Sequence, residues 1–183
     1  MFHILESQQH ELVGMISYPD SGWGLTFTKG SHLDPNFGGG DIVVRFDSNH
    51  DILPDYFELD GTPIVSEKFL NVWKTLQVDN YQVFPITVKF PNEELAGHYI
   101  LNIVGLVACI DRDASELQMY KSRIMRILDL VLDTTQVSLD LFRVHGYPLA
   151  IMISERMKQA LEDAKLSGLL IKPTDGWNDK HRF

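Results

Sequence analysis

The passage Ile64-Val65-Ser66-Glu67-Lys68-Phe69-Leu70-Asn71-Val72-Trp73-Lys74-Thr75-Leu76 decides the fold, because the apolar pattern changes period inside it. Two β-branched residues come first, then apolar residues at 69, 70, 72, 73 and 76. Spacings of three, four and seven place those on one face of a helix. Ser66 is a good N-cap, and Glu67 sets a carboxylate at the positive end of the helix dipole. Asp79-Asn80 stop the helix near Val78, and Tyr81–Phe84 then reads as a strand ending at Pro85.

The same pattern returns further along. Ile151-Met152-Ile153 leads into Ser154-Glu155, apolar residues follow at 157, 160, 161 and 164, and Gly168 closes the helix. Leu169-Leu170-Ile171 is a strand that ends at Pro173. The two passages align without a gap at an offset of 88 residues, with Ser66 on Ser154, Glu67 on Glu155 and Pro85 on Pro173. Phe69, Val72, Trp73 and Leu76 fall on Met157, Ala160, Leu161 and Ala164. Three identities would also suit two unrelated capped helices. The alignment favours a strand–helix–strand unit used twice, over 62–85 and 150–173. Capping accounts for both serines, since no Gly-x-Ser-x-Gly elbow surrounds either.

Between the two units the chain reads as β. Gln82–Phe90 and His98–Ile110 are rich in Val, Ile, Leu and aromatics, with the turn Pro91-Asn92-Glu93-Glu94 between them. Ile127–Asp133 alternates, which predicts a half-buried strand with Leu128, Leu130 and Leu132 on one face. Alternation is less clean over Leu139–Val144. Short strands are expected at Phe2–Leu5, Leu25–Thr28 and Ile42–Phe46. Loops are expected at Tyr18–Gly22 and Asp34–Asp41 from their Gly, Pro and Asn content. The fold class is α+β: a mixed, largely antiparallel sheet with two amphipathic helices. The expected organisation is one domain over 1–183, with an acidic, loop-rich part (1–60) and a regular part (61–183).

The chain has 183 residues, 44% of them hydrophobic and 22% charged, as in a globular protein that needs neither disulfide nor metal to hold a core. Its net charge of −9 argues against binding nucleic acid or anionic lipid. The charge is uneven. Residues 1–66 carry ten acidic residues against Lys29 and Arg45, whereas 67–183 carry fifteen acidic and fourteen basic. The N-terminus lacks a positive region followed by a long apolar run, so no secretory signal is expected, and the protein is read as cytosolic. Cys109, in Leu106-Val107-Ala108-Cys109-Ile110, reads as a buried small hydrophobe.

No catalytic or metal constellation stands out. The seven histidines are scattered singly, without His-Glu-x-x-His. Gly38-Gly39-Gly40 is followed by the strand-like Ile42-Val43-Val44 and not by Gly-Lys-Ser/Thr, so it is a turn and not a phosphate cradle. The strongest polar feature is residues 47–60, with Asp47, Asp51, Asp55, Glu58 and Asp60 and no Lys or Arg. Counted as a calcium loop it fails, because Ile52 stands where the central Gly belongs. A solvated acidic loop is the plain reading. The functional alternative is a partner-binding patch, with the five carboxylates as steering charges and Tyr56 and Phe57 as candidate anchors.

Several strings carry a resemblance. Thr62-Pro63-Ile64-Val65-Ser66-Glu67-Lys68-Phe69-Leu70 resembles the Pro-Ile-Val-Ser-Glu string of a bacterial polymorphic-toxin immunity family. Leu141-Phe142-Arg143-Val144-His145-Gly146, Ile151-Met152-Ile153-Ser154-Glu155 and Leu166-Ser167-Gly168 are similar to its C-terminal signature. Leu101-Asn102-Ile103-Val104 and Cys109-Ile110-Asp111 are similar to its middle strands. The resemblance covers roughly residues 50–183. It implies a protein that binds and neutralises a toxin, often a nuclease, delivered between bacteria, with no catalytic residue and no cofactor. The expected partner is therefore a cognate toxin with a basic surface. Two other readings stand beside it: a small hydrolase-like enzyme built on Asp111, Asp113 and His98 or His145, and a structural subunit of a larger assembly.

Overall fold

The computed structural model describes residues 1–8, 14–19, 26–34, 41–48 and 52–180. Strands β1 (Phe2–Ser7), β2 (Gly14–Ser17), β3 (Ile42–Phe46), β4 (Tyr56–Leu59) and β5 (Thr62–Ser66) precede helix α1 (Glu67–Thr75). Then come β6 (Tyr81–Lys89), β7 (Glu94–Ile103), β8 (Leu106–Val107), β9 (Glu116–Tyr120), β10 (Arg123–Asp129), β11 (Leu141–Val144) and β12 (Tyr147–Ser154). Helix α2 (Glu155–Asp163) and β13 (Leu169–Pro173) complete the order. One sheet runs β2-β3-β6-β7-β5-β4, a second β13-β1-β12-β11-β8, and β9 and β10 form a separate ribbon. Among the described residues only β3 with β6 and β11 with β8 are parallel pairs. The fold is α+β, as the periodicities predict.

Each helix spans nine residues. Helices shorter than about 12–15 residues are marginal alone, so these two are held by packing. Phe69, Leu70 and Trp73 of α1 and Met157 and Leu161 of α2 are buried. They join Leu5, Tyr56, Val65, Leu101, Ile103, Leu141, Ile151 and Ile153 in one cluster, drawn from both sheets. The helices and one face of each sheet therefore share a core. A second cluster lies on the other face of the first sheet, around Phe27, Val44, Phe57 and Val88. A third lies on the other face of the second sheet, around Ile4, Ile127, Phe142 and Trp177.

The 88-residue echo is geometric as well as sequential. Ser66 and Ser154 have nearly the same backbone angles (φ −78°, ψ 165° and φ −72°, ψ 164°), and each hydroxyl accepts from the N–H three residues on. Gln77 and Lys165, again 88 apart, both leave their helix with positive φ, 56° and 50°. β5 and β6, on either side of α1, do not pair with each other; β7 lies between them, antiparallel to both. β12 and β13 flank β1 in the same way. The filler strand follows its helix in the first unit and comes from the N-terminus in the second.

Four expectations need correction. The strand after α1 passes through Pro85 to Lys89. Pairing with β3 begins only at Ile86, so residue 85 has no second neighbour to donate to. His98–Ile110 is not one strand. It breaks at Val104-Gly105, and β8 crosses to the other sheet. In Ile127–Asp133 the alternation is undone by bulges in β10, and the buried residues are Ile127 and Leu130, continuing from Ile124. Leu25 and most of the loops expected at 18–22 and 34–41 lie outside the described residues, and Thr26–Thr28 is a 3-10 turn, not a strand. Phe2–Ser7 and Ile42–Phe46 are strands as expected.

The two halves meet closely where the turn before β13 crosses the edge of β4. Gln8 N–H donates to Gly168 O at 2.7 Å and Tyr56 N–H to Ser167 O at 3.1 Å. Gly168 has φ 82°, and a Cβ there would lie 2.2 Å from Tyr56 O and 2.4 Å from Pro54 Cβ. Gly168→Ala should therefore destabilise the protein by about 2 kcal/mol or more, read as a lowered midpoint in urea unfolding.

Candidate functional site

The acidic segment is organised by a clasp at the start of α1. Asp55 lies just before β4. Its backbone carbonyl accepts from Ser66 N–H at 2.9 Å, and its carboxylate accepts from Ser66 Oγ at 2.7 Å. The carboxylate also accepts from Ser167 N–H at 2.9 Å and Ser167 Oγ at 3.0 Å, with Lys68 Nζ at 3.7 Å. Partial burial opposes ionisation, but the hydrogen bonds from the Ser167 backbone, Ser66 and Ser167, with the Lys68 charge, outweigh it and hold the carboxyl below its ordinary range.

A second clasp is built the same way on α2. Asp140 O accepts from Ser154 N–H at 2.8 Å, and its carboxylate takes bonds from Arg156 and from the Ser154 hydroxyl. Partial burial again opposes ionisation, and the Arg156 and Ser154 bonds override it, so this carboxyl too is lowered. Lys68 and Arg156 are equivalent at the 88-residue offset. Each reaches the far end of the other helix: Lys68 Nζ lies 3.4 Å from Lys165 O, and Arg156 Nη1 lies 2.9 Å from Leu76 O. The cations thus serve carbonyls at the negative helix ends while balancing the clasp carboxylates. Asp140 is absent from the sequence alignment because 14 residues separate it from its serine, against 11 for Asp55 and Ser66.

The residues expected to form the contact patch therefore separate. Tyr56 and Phe57 cannot be anchors: they are 0% and 1% exposed, in the central core and the first-sheet core respectively. Successive strand residues point to opposite faces, and here both faces of β4 are covered, so neither ring meets solvent. Asp55 is committed to the clasp. Glu58 is half-buried and accepts from Tyr56 Oη at 2.8 Å. Asp47 and Asp60 are exposed, and Asp51 lies outside the described residues. The exposed apolar residue of the segment is Ile52. Asp47 follows β3, which runs parallel to β6 and in register with it, so it shares one end of the sheet with exposed Glu93 and Glu94. Asp60, in the β4–β5 turn, lies at the opposite end.

Two of the groups considered for an enzyme, Asp111 and His98, have structural partners. Asp111 accepts from the N–H groups of Asp113 and Ala114 and shapes a turn. His98 sits on β7 beside Phe57, with ring centroids 6.2 Å apart, and burial lowers its pKa. His145 is exposed in the β11–β12 turn. Cys109 is buried, and burial raises its thiol to about 11, far from the thiolate a nucleophile needs. Among the described residues no cluster of three or more His, Cys, Asp or Glu could hold a metal ion. No helix among them is long and apolar enough to cross a membrane.

Periodicity missed most of one exposed feature, the β9–β10 ribbon, of which only Ile127–Asp129 falls in an expected strand. Its turn, Lys121-Ser122, has neither the Gly nor the Asn that marks a hairpin in sequence. It displays Tyr120 and Met125 to solvent.

The polar clusters of this α+β scaffold thus close helices and turns. The comparison with known families adds what the geometry leaves open. Residues 17–174 match the immunity protein family Imm11, and the chain belongs to that family. The match extends the resemblance seen in the sequence into the N-terminal third and supports a toxin-immunity role. No curated protein matches the chain in sequence.

Two measurements check the clasps. Ser66→Ala and Ser154→Ala should each cost about 1 kcal/mol in denaturant unfolding through loss of the cap. Because the folded-state pKa of Asp55 and Asp140 is depressed, their stabilisation is present in full above the ordinary aspartate value of about 4 and is lost as pH falls through the lower folded value. Asp55→Asn and Asp140→Asn should lower the melting temperature at pH 7 and flatten its fall on acidification below pH ~4. A melting curve as steep in acid as the wild type's would remove the clasps from the acid transition.

Proposed function

We propose that the protein is a cytosolic immunity protein that neutralises a cognate bacterial toxin, of nuclease type, by direct contact and without catalysis. The single observation that carries this reading is membership of the immunity family over 17–174. Charge supports the finer part. A nuclease must hold phosphate and so presents a cationic surface. Against it this protein carries −9, concentrated in its first third, with Asp47, Glu93 and Glu94 exposed together and Asp60 exposed at the other end of the sheet. Complementary potential speeds encounter, while apolar contacts set residence time. Ile52, exposed beside the acidic residues, takes the anchoring place for which Tyr56 and Phe57 are too deeply buried.

The test is co-expression with the toxin encoded beside this protein's gene, with binding kinetics for the purified pair. Wild type should rescue growth, and rising salt should slow its association through screening. The triple variant Asp47→Lys, Asp60→Lys, Glu93→Lys should associate about tenfold more slowly at low salt. An unchanged association rate would exclude the acidic rim as the contact. Absence of both rescue and binding by the wild type would overturn the immunity reading itself.

A further inference from the structure

The β9–β10 ribbon is built as an arm. Its base is closed by the bridge between Ile110 and Leu132 and by the hydrogen bonds Asp111 N–H to Val131 O (3.0 Å) and Asp133 N–H to Cys109 O (2.8 Å). Its inner side is anchored by Ile124 and Ile127, packed with Trp177, Tyr147 and Val144. Buried Asp179 fixes it further, accepting from Ile127 N–H at 3.0 Å and from Tyr147 Oη at 2.8 Å. The arm is thus held to the body of the protein from base to middle.

That surface differs from the rest of the protein. Tyr120 is 63% exposed and Met125 52%. Between Leu117 and Leu128 stand Lys121, Arg123 and Arg126, the last paired with Asp179 at 3.4 Å, and the carboxylates of the ribbon, Glu116 and Asp129, lie at its base, in a chain of net charge −9. Tyr, Met and Arg are enriched where proteins meet. The tip carries a further sign. Lys121 holds φ 55°, a left-handed conformation that Gly or Asn adopts at lower cost. A lysine there works against the turn, and its ammonium lies 5.6 Å from the centre of the Tyr120 ring.

We propose that the outer face of this arm, through Tyr120, Lys121, Arg123 and Met125, is a docking site for a carboxylate-rich, apolar-centred surface of the cognate toxin, separate from the acidic rim. The proposal rests on the immunity reading. A second copy of this chain suits the arm poorly. A two-fold pairing of arm on arm sets cation against cation.

The experiment uses the full-length protein and a catalytically inactive form of the toxin encoded beside it. Lys121→Gly relieves the strained turn, so its melting temperature should equal or exceed the wild type's. Its affinity should nonetheless fall, and the double variant Lys121→Gly, Arg123→Glu should lose about tenfold or more. Tyr120→Ala should mainly speed dissociation. Wild-type affinity in Lys121→Gly, Arg123→Glu and in Tyr120→Ala would overturn the arm and leave the immunity reading standing. Loss of self-association by these variants with toxin binding intact would overturn it in favour of a second copy. Failure of the wild type to bind the toxin would overturn both readings together.

Discussion

The bond from a helix-capping serine to an aspartate just before the preceding hairpin occurs twice, and the arrangement of the two halves depends on it. Ser66 with Asp55 and Ser154 with Asp140 each fix where a strand stops and a helix begins. The cation two residues into each helix then reaches the C-terminal end of the other, so neither helix is oriented alone. A capping bond contributes only about 1 kcal/mol. Its consequence is larger, because each clasp also sets which face of a short helix turns to the shared core. Trp73, Phe69, Met157 and Leu161 supply the burial, and the clasps supply the direction.

This arrangement explains why the acidic segment is less free than its composition suggests. Of its five carboxylates, one closes a cap and one takes a tyrosine hydroxyl, and the aromatic residues between them fill two cores on opposite faces of one strand. Charge and aromatic content are read equally from an exposed loop and from an edge strand between two cores. Only the covering of both faces distinguishes them, and that depends on residues more than a hundred positions away, such as Ser167 and Gly168.

The helices were legible because an amphipathic helix with a capping serine is a local object. Its face, its start and its dipole partner lie within a dozen residues, and the 88-residue echo added a second copy of the same signal. The β regions were legible in kind but not in extent. Pro85 does not end its strand, since the neighbour it would break the ladder with begins one residue later. The alternation of Leu128, Leu130 and Leu132 misleads because bulges in β10 shift the inward residues to Ile124, Ile127 and Leu130. The β9–β10 ribbon was illegible for a related reason: its turn is made by a lysine in a conformation that sequence reasoning assigns to glycine. The Asp140 clasp escaped because an extra three residues in its hairpin break the alignment.

The strand that completes the second helix unit lies far from its partners in sequence. Among the described residues β1 pairs with β12 and β13, more than 140 residues later. The first sheet draws its strands from one stretch of chain. The second cannot close until β12 and β13 are available, and until then β1, with Ile4 and Leu5, carries an unsatisfied apolar edge. Contacts so distant in sequence slow folding, because a long loop must be ordered before they form. A truncated product that has lost β12 and β13 therefore leaves β1 without a sheet to join.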